Sequence, residues 1–136
     1  MDFEIVELDV EQMNEIEKKL EAYDEKYTRY PVSGAIQIGI LHDGKMIAGA
    51  DAVVTAFKIL YVSTVYVDED FRRMGLGRKL MSELEARAIT LGVNTIRLDT
   101  FDWQGSTFYP KLGYEEVGYY KNEIDGYSEH FFVKRL

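Results

Sequence analysis

The chain has 136 residues, which is enough for one domain with a hydrophobic core and too few for a second domain of ordinary size. Hydrophobic residues make up 46% and charged residues 29%, as in a globular protein, and the absence of cysteine excludes disulfides, thiolate zinc sites and a cysteine nucleophile. The formal net charge of −8 argues against nucleic acid as a partner, because phosphate backbones would be repelled, and suits a cationic small substrate.

The N-terminal part of the chain predicts a strand and an amphipathic helix. Residues 2–8 alternate between apolar and charged side chains, which favours a strand. Asp9 can cap a following helix, and Gln12 stands where it would complete a capping box. Apolar residues then recur at steps of three and four, so the helix is predicted to run to about Tyr27. Its apolar stripe comprises Met13, Ile16, Leu20, Tyr23 and Tyr27.

The next part of the chain predicts a hairpin and a central strand. Residues 30–34, which include a proline and a glycine, are expected to be irregular. Two apolar runs, 35–42 and 46–57, flank Asp43-Gly44, a pair that favours the positive φ angles of a tight hairpin turn. Residues 59–67 are β-branched or aromatic almost throughout, which is typical of a central strand.

The rest of the chain predicts two helices and three strands. In order, these are a helix over 75–91 that stops at Gly92, a strand over 94–101, a short helical turn over 105–112, and strands over 114–120 and 129–135. The helical crossover makes the strands at 59–67 and 94–101 parallel, and hairpins make the others antiparallel. We therefore predict a single α+β domain over residues 1–136, with helices flanking a mixed, mostly antiparallel sheet.

No targeting or membrane segment is visible in the sequence. The N-terminus lacks a basic region followed by an apolar run, and no apolar stretch approaches the roughly 20 residues of a membrane helix. We therefore expect a cytoplasmic protein without a membrane partner.

A glycine-containing loop joins the predicted central strand to the following helix. Its sequence is Arg72-Arg73-Met74-Gly75-Leu76-Gly77-Arg78. Backbone N–H groups in such a loop and in the first helical turn lack internal partners, and with the helix dipole they form an anion site. Glycine lets a phosphate approach the backbone, and the arginines add positive charge. The loop therefore predicts a diphosphate-binding site.

Two familiar phosphate-binding motifs do not fit this loop. A dinucleotide-binding fold would place Gly-x-Gly-x-x-Gly in its first βαβ unit, but Leu80 stands at the third glycine position, and several strands precede the loop. A P-loop would need Gly-Lys-Ser or Gly-Lys-Thr, which is absent here. Another kind of nucleotide-phosphate binder stays an alternative, as does a helix start with solvated arginines.

A second motif follows the next predicted strand, with the sequence Phe108-Tyr109-Pro110-Lys111-Leu112-Gly113-Tyr114. It resembles the Tyr-x-Lys-Leu-Gly-Tyr segment of the GNAT superfamily of N-acetyltransferases, and the Arg-x-x-Gly-x-Gly loop resembles the acetyl-CoA loop of that family. The resemblance covers residues 59–120. It implies the acyl-CoA N-acyltransferase fold, in which the two parallel strands splay apart.

The resemblance implies that the protein binds acetyl-CoA and transfers the acetyl group directly to an amine. The pantetheine arm would bond to the strand edge at Val65 and Val67, as an added strand does, and the diphosphate would lie on the N–H groups of the loop. The cofactor-binding residues implied in the loop are Arg72, Arg73, Met74, Gly75, Leu76, Gly77 and Arg78. No metal site is expected.

Tyr109 matches the general acid of the family by position, and a protonated phenol can donate to the leaving thiolate. The N–H of Val65 is implied as a donor to the tetrahedral oxyanion. Pro110 departs from the family pattern: if the short helix starts near Ser106, the proline falls beyond its first turn and distorts it. A displaced Tyr109 would favour the alternative of a non-catalytic acyl-CoA-binding or sensor module.

The sequence leaves the general base and the acceptor open. Asp51, Asp99 or a water relay could take the proton of the amine. Trp103, Tyr61 and Tyr23 are candidates for the acceptor pocket. The acidic surface favours a polyamine-like or aminoglycoside-like cation, while a peptide amine, a longer acyl-CoA and a homodimer stay open. Of the two histidines, His42 is predicted in a solvated turn and His130 in a structural role.

Overall fold

The structure is a computed structural model that describes residues 1–29 and 33–136. The chain divides into two units, Met1–Pro31 and Val32–Leu136. Of the irregular segment predicted at 30–34, residues 30–32 lie outside the described residues. Among the helices of the described part, none has the length and apolar character needed to cross a membrane.

The N-terminal unit contains helix α1, which spans Val10–Asp24. The side chain of Asp9 accepts a hydrogen bond from the N–H of Gln12 (2.8 Å), and Oε1 of Gln12 accepts one from the N–H of Asp9 (3.0 Å). The predicted capping box is therefore confirmed, and such a cap contributes about 1 kcal/mol to helix stability. Hydrogen-bonded turns follow Asp24, so the regular helix is slightly shorter than the predicted run to Tyr27.

The strand predicted at residues 2–8 is wrong. These residues are irregular in the structure, and no strand ladder within the described residues includes them. Alternation identifies only the face that a strand would bury. A strand also needs a neighbour that pairs with its backbone N–H and C=O groups, and the pattern does not specify that neighbour.

The C-terminal unit is built on a six-stranded sheet. The strands are β1 (Ala35–His42), β2 (Lys45–Thr55), β3 (Ile59–Val67), β4 (Thr95–Phe101), β5 (Glu115–Asn122) and β6 (Tyr127–Arg135), and the helices are α2 (Leu76–Thr90) and α3 (Phe108–Lys111). Their spatial order is β1-β2-β3-β4-β6-β5. The β3–β4 pair is parallel, and every other neighbouring pair in the described sheet is antiparallel. The predicted mixed α+β fold is confirmed.

The predicted hairpin turn between β1 and β2 is also confirmed. Asp43 has a φ of 51° and Gly44 has a φ of 76°, as a two-residue turn with the twist of a β-hairpin requires. This turn fixes the register of the edge strand β1 against β2.

Helix α2 packs on one face of the sheet and forms the core with it. Its sheet-facing residues are at most 3% exposed, and they are Leu80, Met81, Leu84 and Ala88. The sheet contributes Leu60, Ile96 and Phe132 to the same cluster. Each large apolar side chain buried in this way contributes about 1.5–3 kcal/mol. The packing therefore fixes the start of α2, with the loop before it, near the ends of β3 and β4.

Candidate functional site

The backbone pairing between β3 and β4 covers only the first part of each strand. It ends where Val62 lies opposite Leu98, although β3 continues to Val67 and β4 continues to Phe101. The two strands therefore separate beyond Val62, as the predicted splay requires. We call the opening between their C-terminal ends the fork.

A β-bulge at Ser63 accounts for the fork. In the ladder between β2 and β3, Val62 pairs with Ala52 and Thr64 pairs with Asp51, which leaves Ser63 as an extra residue. The Ser63 hydroxyl donates to the carbonyl oxygen of Asp51 at 3.2 Å. A bulge bends its strand and increases the local twist, so β3 turns away from β4 directly after their last pair.

The edge of β3 that faces the fork carries unused backbone groups. The N–H of Asp68 donates to the carbonyl of Ile47 at 2.8 Å, which places this residue's backbone groups on the β2 side. Successive residues of a strand point their backbone groups to opposite edges, so those of Val65 and Val67 point into the fork. The carbonyl of Val67 accepts a hydrogen bond from Nε of Arg72 at 2.8 Å, which leaves the two N–H groups and the carbonyl of Val65 available.

The loop before α2 presents a row of free N–H groups. Helix α2 begins at Leu76 with Gly75 as its N-cap, and the N–H of Lys79 is the first to bond within the helix, to the carbonyl of Gly75 at 3.0 Å. Within the described residues, no N–H group from Arg73 to Arg78 has a hydrogen-bond acceptor. Positive φ angles at Arg73 (65°) and Gly75 (79°) curve the backbone into a concave, anion-binding shape.

The two loop glycines serve different purposes. Gly75 takes a positive φ, and a Cβ atom built on it would meet nothing within 4 Å, so glycine is favoured there by its backbone conformation and not by close packing. A Cβ atom on Gly77 would lie 3.1 Å from Cζ of Phe108. Gly77 therefore also lets the aromatic ring of α3 pack against the first turn of α2, a role that the sequence prediction did not include.

The loop, the fork and α3 line a cavity of about 780 Å³. Among the predicted cofactor-binding residues, the cavity is lined by Val65, Val67, Arg72, Arg73, Gly75, Leu76, Gly77 and Arg78. Met74 is absent from that lining and is 65% exposed. Tyr109 lines the same cavity, so the structure brings together the strand edge, the loop and the phenol.

The charge in this cavity differs in sign from that of the whole chain. Arg72, Arg73, Arg78 and Lys111 contribute to its lining, together with the carboxylate of Glu69. The chain as a whole carries a formal net charge of −8. A local excess of arginine beside free N–H groups favours an anionic ligand, since charge-assisted hydrogen bonds are stronger than neutral ones.

Tyr109, which lines the cavity, is held in an aromatic cluster. The residue is 7% exposed, and its ring packs against those of Phe108, Tyr114 and Phe132 at centroid distances of 5.1, 5.6 and 6.0 Å. Its hydroxyl has no hydrogen-bond partner in the described part of the chain. Burial raises the pKa of Tyr109 to about 12, so the phenol keeps its proton at neutral pH.

Pro110 fits α3 without breaking it. The helix begins at Phe108, later than the start near Ser106 that would place the proline beyond the first turn. Pro110 therefore occupies the first turn, where a backbone N–H has no intrahelical acceptor and its loss costs little. The proline does not displace Tyr109 from the cavity.

Gly105 is a site residue that the sequence analysis missed. A Cβ atom there would lie 2.7 Å from Cε2 of Tyr109, so the Tyr109 ring can occupy its position only against glycine. The N–H of Gly105 donates to Oγ1 of the buried Thr100 at 3.0 Å. The φ of Gly105 is not positive, so the close approach of the ring, and not the backbone conformation, requires glycine. The signal in the sequence is only a glycine that lies four residues before the tyrosine.

The two candidate bases, Asp99 and Asp51, lie on different strands of the sheet. Asp99 directly follows the last paired residue of β4, and the hydroxyl of Tyr61 donates to its Oδ2 at 3.2 Å. Asp51 lies on β2, where its Oδ1 accepts a hydrogen bond from Nε2 of Gln37 at 3.3 Å. Of the two, only Asp99 lies on a strand that borders the fork, although neither is among the residues that line the cavity.

Neither histidine is among the residues that line the cavity. His42 is near the carboxylate of Asp43, at 3.4 Å, and its side chain is 59% exposed. His130 contacts the hydroxyl of Ser128 through Nε2 at 2.7 Å, and its Nδ1 bonds to the carboxylate of Glu116. Within the described residues, no group of three or more histidine, aspartate or glutamate side chains is arranged to hold a metal ion.

The family model and the solved structures that resemble this chain indicate the same family. Residues 3–114 match the family model described as acetyltransferase (GNAT) family. A crystal structure of an acetyltransferase from Bacillus cereus ATCC 14579 is 30% identical, with a TM-score of 0.90 and 98% of each chain covered. An aminoglycoside 6'-N-acetyltransferase complexed with coenzyme A is 18% identical, with a TM-score of 0.66 over 91% of this chain and 85% of that one, which shows a shared fold.

A curated relative is the blasticidin-S acetyltransferase of Streptomyces morookaense. It is 33% identical over 78 residues, which cover 57% of this chain and 57% of that protein. The chain thus matches less than two thirds of the length of this relative.

Proposed function

The chain belongs to the acetyltransferase (GNAT) family, and we propose that it transfers the acetyl group of acetyl-CoA directly to a primary amine. The observation that carries this proposal is the meeting, in one cavity, of the free N–H groups from Arg73 to Arg78 with the buried phenol of Tyr109. The first feature suits a diphosphate and the second suits a leaving thiolate. The family model extends over most of residues 1–136, which supports one catalytic domain.

The acyl donor of this family is acetyl-CoA, and the residues of the loop fit its diphosphate. Gly75, Leu76 and Gly77 line the cavity, so phosphate oxygens placed there would meet the N–H groups of the first turn of α2. Arg73 and Arg78 line the same space and would add charge-assisted bonds of about 1.5–3 kcal/mol each. Arg72 is tied to the carbonyl of Val67 through Nε, so its main role is to hold the loop against β3.

The fork suits the pantetheine arm. The amides of such an arm need a donor and an acceptor from an unpaired strand edge, and the backbone groups of Val65 and the N–H of Val67 face that way. The arm would take the place next to β3 that β4 leaves open beyond Leu98. The thioester would then lie at the fork, between the N–H of Val65 and the hydroxyl of Tyr109.

The chemistry follows from these positions. The neutral amine nitrogen attacks the thioester carbonyl carbon, and the N–H of Val65 stabilises the oxygen as it gains charge. As the C–S bond breaks, Tyr109 donates its proton to the sulfur and regains one from the nitrogen of the new amide, so that the phenol is unchanged overall. The net products are the N-acetylated amine and the free thiol of CoA.

The acceptor is proposed to be a small-molecule or peptide amine. The acidic net charge would attract a cation, and the name of the Streptomyces morookaense relative supports a small molecule. Before it attacks, the ammonium form must lose a proton. The carboxylate of Asp99 at the fork is the proposed acceptor of that proton, in preference to Asp51.

Calorimetry and thiol release test the proposal together. Titration with acetyl-CoA should give saturable binding, and addition of a panel of amines should release one thiol for each acetyl group transferred. Binding without thiol release from any amine would favour the non-catalytic acyl-CoA sensor. No saturable heat from a folded protein would exclude both functions, and stabilisation by ATP instead would point to a nucleotide-phosphate binder.

A further inference from the structure

The face of the sheet opposite α2 carries an ordered aromatic surface next to the fork. Trp103 stacks on Phe101 with the ring centroids 4.6 Å apart and the planes at 4°. Tyr127 packs edge-on against both rings, at 5.5 and 5.9 Å, and Tyr120 contacts Tyr127 at 6.4 Å. We call these four residues the aromatic platform.

Trp103 is exposed to solvent, although other rings of the platform hold its indole in place. Trp103 is 66% exposed, and its contacts with Phe101 and Tyr127 fix one side of the ring. A large planar surface that is ordered and exposed can bind another planar group with little loss of side-chain freedom. The most exposed member of the platform is thus suited to stack on a ligand.

The platform is continuous with the cavity that holds the acyl donor in the proposed function. Trp103 lines this cavity together with Thr100, Gly105 and Tyr109. Phe101, which supports Trp103, directly follows Thr100 on the strand that forms one side of the fork. A ligand stacked on Trp103 therefore lies beside the proposed position of the thioester.

Two carboxylates flank the platform on the same face of the sheet. Glu129 lies opposite Phe101 on the neighbouring strand β6, and its Oε1 accepts a hydrogen bond from the hydroxyl of Tyr120 at 2.7 Å. Asp99 precedes Phe101 by two residues, so it points to the same face. Within the described residues, the second oxygen of each carboxylate, Oδ1 of Asp99 and Oε2 of Glu129, has no hydrogen-bond donor.

The charges around Tyr61 show that the two carboxylates share one neighbourhood. Burial raises the pKa of Tyr61, and the charges of Asp99 and Glu129 raise it further, while Arg97 lowers it. The guanidinium of Arg97 lies over the Tyr61 ring at 4.4 Å. Arg97 therefore offsets part of the negative charge that the two carboxylates place at Tyr61.

We infer that the acceptor is an amine that also carries a planar ring, with the ring stacked on Trp103 and the ammonium group directed to Asp99 and Glu129. This inference rests on the proposed function and names the class of its second substrate. An aliphatic polyamine satisfies the carboxylates but leaves the indole exposed. A neutral aromatic compound covers the indole but leaves both carboxylates unpaired.

The fluorescence of Trp103 tests the inference without any turnover. The chain has one tryptophan, so emission excited beyond the absorption of tyrosine reports on the platform alone. The protein is saturated with CoA, which cannot donate an acetyl group, and is titrated with 2-phenylethylamine, 2-cyclohexylethylamine and 2-phenylethanol. The first compound has the ring and the charge, the second has the charge without planarity, and the third has the ring without the charge.

We expect a saturable change in emission with 2-phenylethylamine and an affinity about 10-fold higher than for either control compound. Equal affinities for the planar and the cyclohexyl amine would overturn the role of Trp103. Equal affinities for 2-phenylethylamine and 2-phenylethanol would overturn the role of the carboxylates. No saturable change with any of the three would overturn the whole inference.

Variants separate binding of the acceptor from the chemical step. Trp103→Ala should raise KM for 2-phenylethylamine about 10-fold and leave KM for 2-cyclohexylethylamine within about 2-fold, with kcat little changed, and Trp103→Phe should recover part of the loss. Glu129→Gln should raise KM for both amines about 5-fold. Glu115→Gln, which removes an exposed carboxylate of β5 paired with Arg135, is the matched control and should change neither value.

The outcomes distinguish this inference from the proposed function. Thiol release with aliphatic amines, without an effect of Trp103→Ala on any planar amine, would refute the inference and leave the acetyltransferase intact. Planar selectivity in the fluorescence titration without thiol release from any amine would support the platform as a binding site and refute the acetyltransferase.

Discussion

The cavity that is proposed to hold the acyl donor has two walls, which are built in different ways. One wall is the loop from Arg72 to Arg78, a continuous segment whose free N–H groups follow from its own backbone angles. The other wall presents Tyr109, whose position depends on contacts with residues of β4, β6 and the segment before α3. A wall made from one segment tolerates change elsewhere in the protein, whereas a wall assembled from distant residues depends on each of them.

The strongest way to test this contrast is to remove the hydroxyl of Tyr109. Tyr109→Phe keeps the ring in its aromatic cluster and removes only the proposed proton donor, so kcat should fall by about 100-fold or more. The affinity for acetyl-CoA, which the loop is proposed to set, should stay the same. Thiol-release kinetics and calorimetry measure the two quantities.

Tyr114→Phe is the matched control for this variant. Tyr114 packs on Tyr109 at 5.6 Å, and its hydroxyl bonds to Glu85 rather than lining the cavity. Loss of its hydroxyl should leave kcat within about 2-fold of the wild type. If both variants lost activity equally, the aromatic cluster as a whole, and not the donor, would control the rate.

A smaller effect is expected when the support of Tyr109 is changed and its hydroxyl is kept. Gly105→Ala places a Cβ atom where Cε2 of Tyr109 lies, at 2.7 Å, so the ring must move and the donor is misplaced. We expect kcat to fall about 10-fold and the free energy of unfolding to fall by about 1–3 kcal/mol. Chemical denaturation and thiol-release assays measure both.

Gly118→Ala controls for the added methyl group. A Cβ atom at Gly118 would meet nothing within 4 Å, so this variant should keep its activity. Full activity in Gly105→Ala would show that Tyr109 does not need its close contact with Gly105. The wall that presents Tyr109 would then tolerate substitution of its supporting residues as well as the loop does.

The sequence predicts these two walls unequally, and the reason is physical. The loop from Arg72 to Arg78 is recognisable because its glycines, arginines and flanking elements lie together in the chain. The contact of Gly105 with Tyr109 is not recognisable, since nothing in the spacing shows that a ring approaches that Cα. The bulge at Ser63 is also invisible in a run of β-branched and aromatic residues, so the sequence predicts two splayed strands only through family resemblance.

In the N-terminal segment, by contrast, the sequence predicts a strand that the structure does not contain. Residues 2–8 have the alternation of a strand, and Asp9 with Gln12 has the pattern of a capping box, but only the capping box forms. The box depends on two residues three positions apart, which supply each other's hydrogen-bond partners. A strand depends on a partner elsewhere in the chain, which the local pattern does not contain. Local hydrogen bonding was therefore predicted correctly where strand pairing was not.

A moderate effect on donor binding is expected from the loop itself. Gly75 has a φ of 79°, which costs a residue with a Cβ atom roughly 1–2 kcal/mol. Gly75→Ala should therefore lower stability by about that amount. Gly75 lines the cavity in which the diphosphate is proposed to lie, and the added methyl group would take up part of that space, so the Kd for acetyl-CoA should rise about 5-fold, as measured by calorimetry.

Gly126→Ala separates strain from binding. Gly126 lies in the turn between β5 and β6 with a φ of 74°, and a Cβ atom there also meets nothing within 4 Å. Both variants should lose similar stability, and only Gly75→Ala should lose affinity. A matching loss of affinity in both would mean that global stability, and not the shape of the loop, limits acetyl-CoA binding.

The last prediction concerns the ionisation of Tyr109, which leaves the free energy of unfolding unchanged at neutral pH and lowers it only at alkaline pH. Burial raises its pKa from 10 to about 12, so the folded state holds the proton more tightly than the unfolded chain. The resulting stability is fully present below pH 10 and is lost as the pH rises through about 12, an effect of about 3 kcal/mol. Urea unfolding between pH 8 and pH 11.5 should therefore show a steeper loss of stability for the wild type than for Tyr109→Phe.

Burial and Glu85 also raise the pKa of Tyr114, so Tyr114→Phe should remove a second part of the same pH dependence of stability. If the free energy of unfolding varied with pH in the same way for the wild type and Tyr109→Phe, the phenol would be solvated in the folded protein. Tyr109 would then not be part of the buried wall of the cavity.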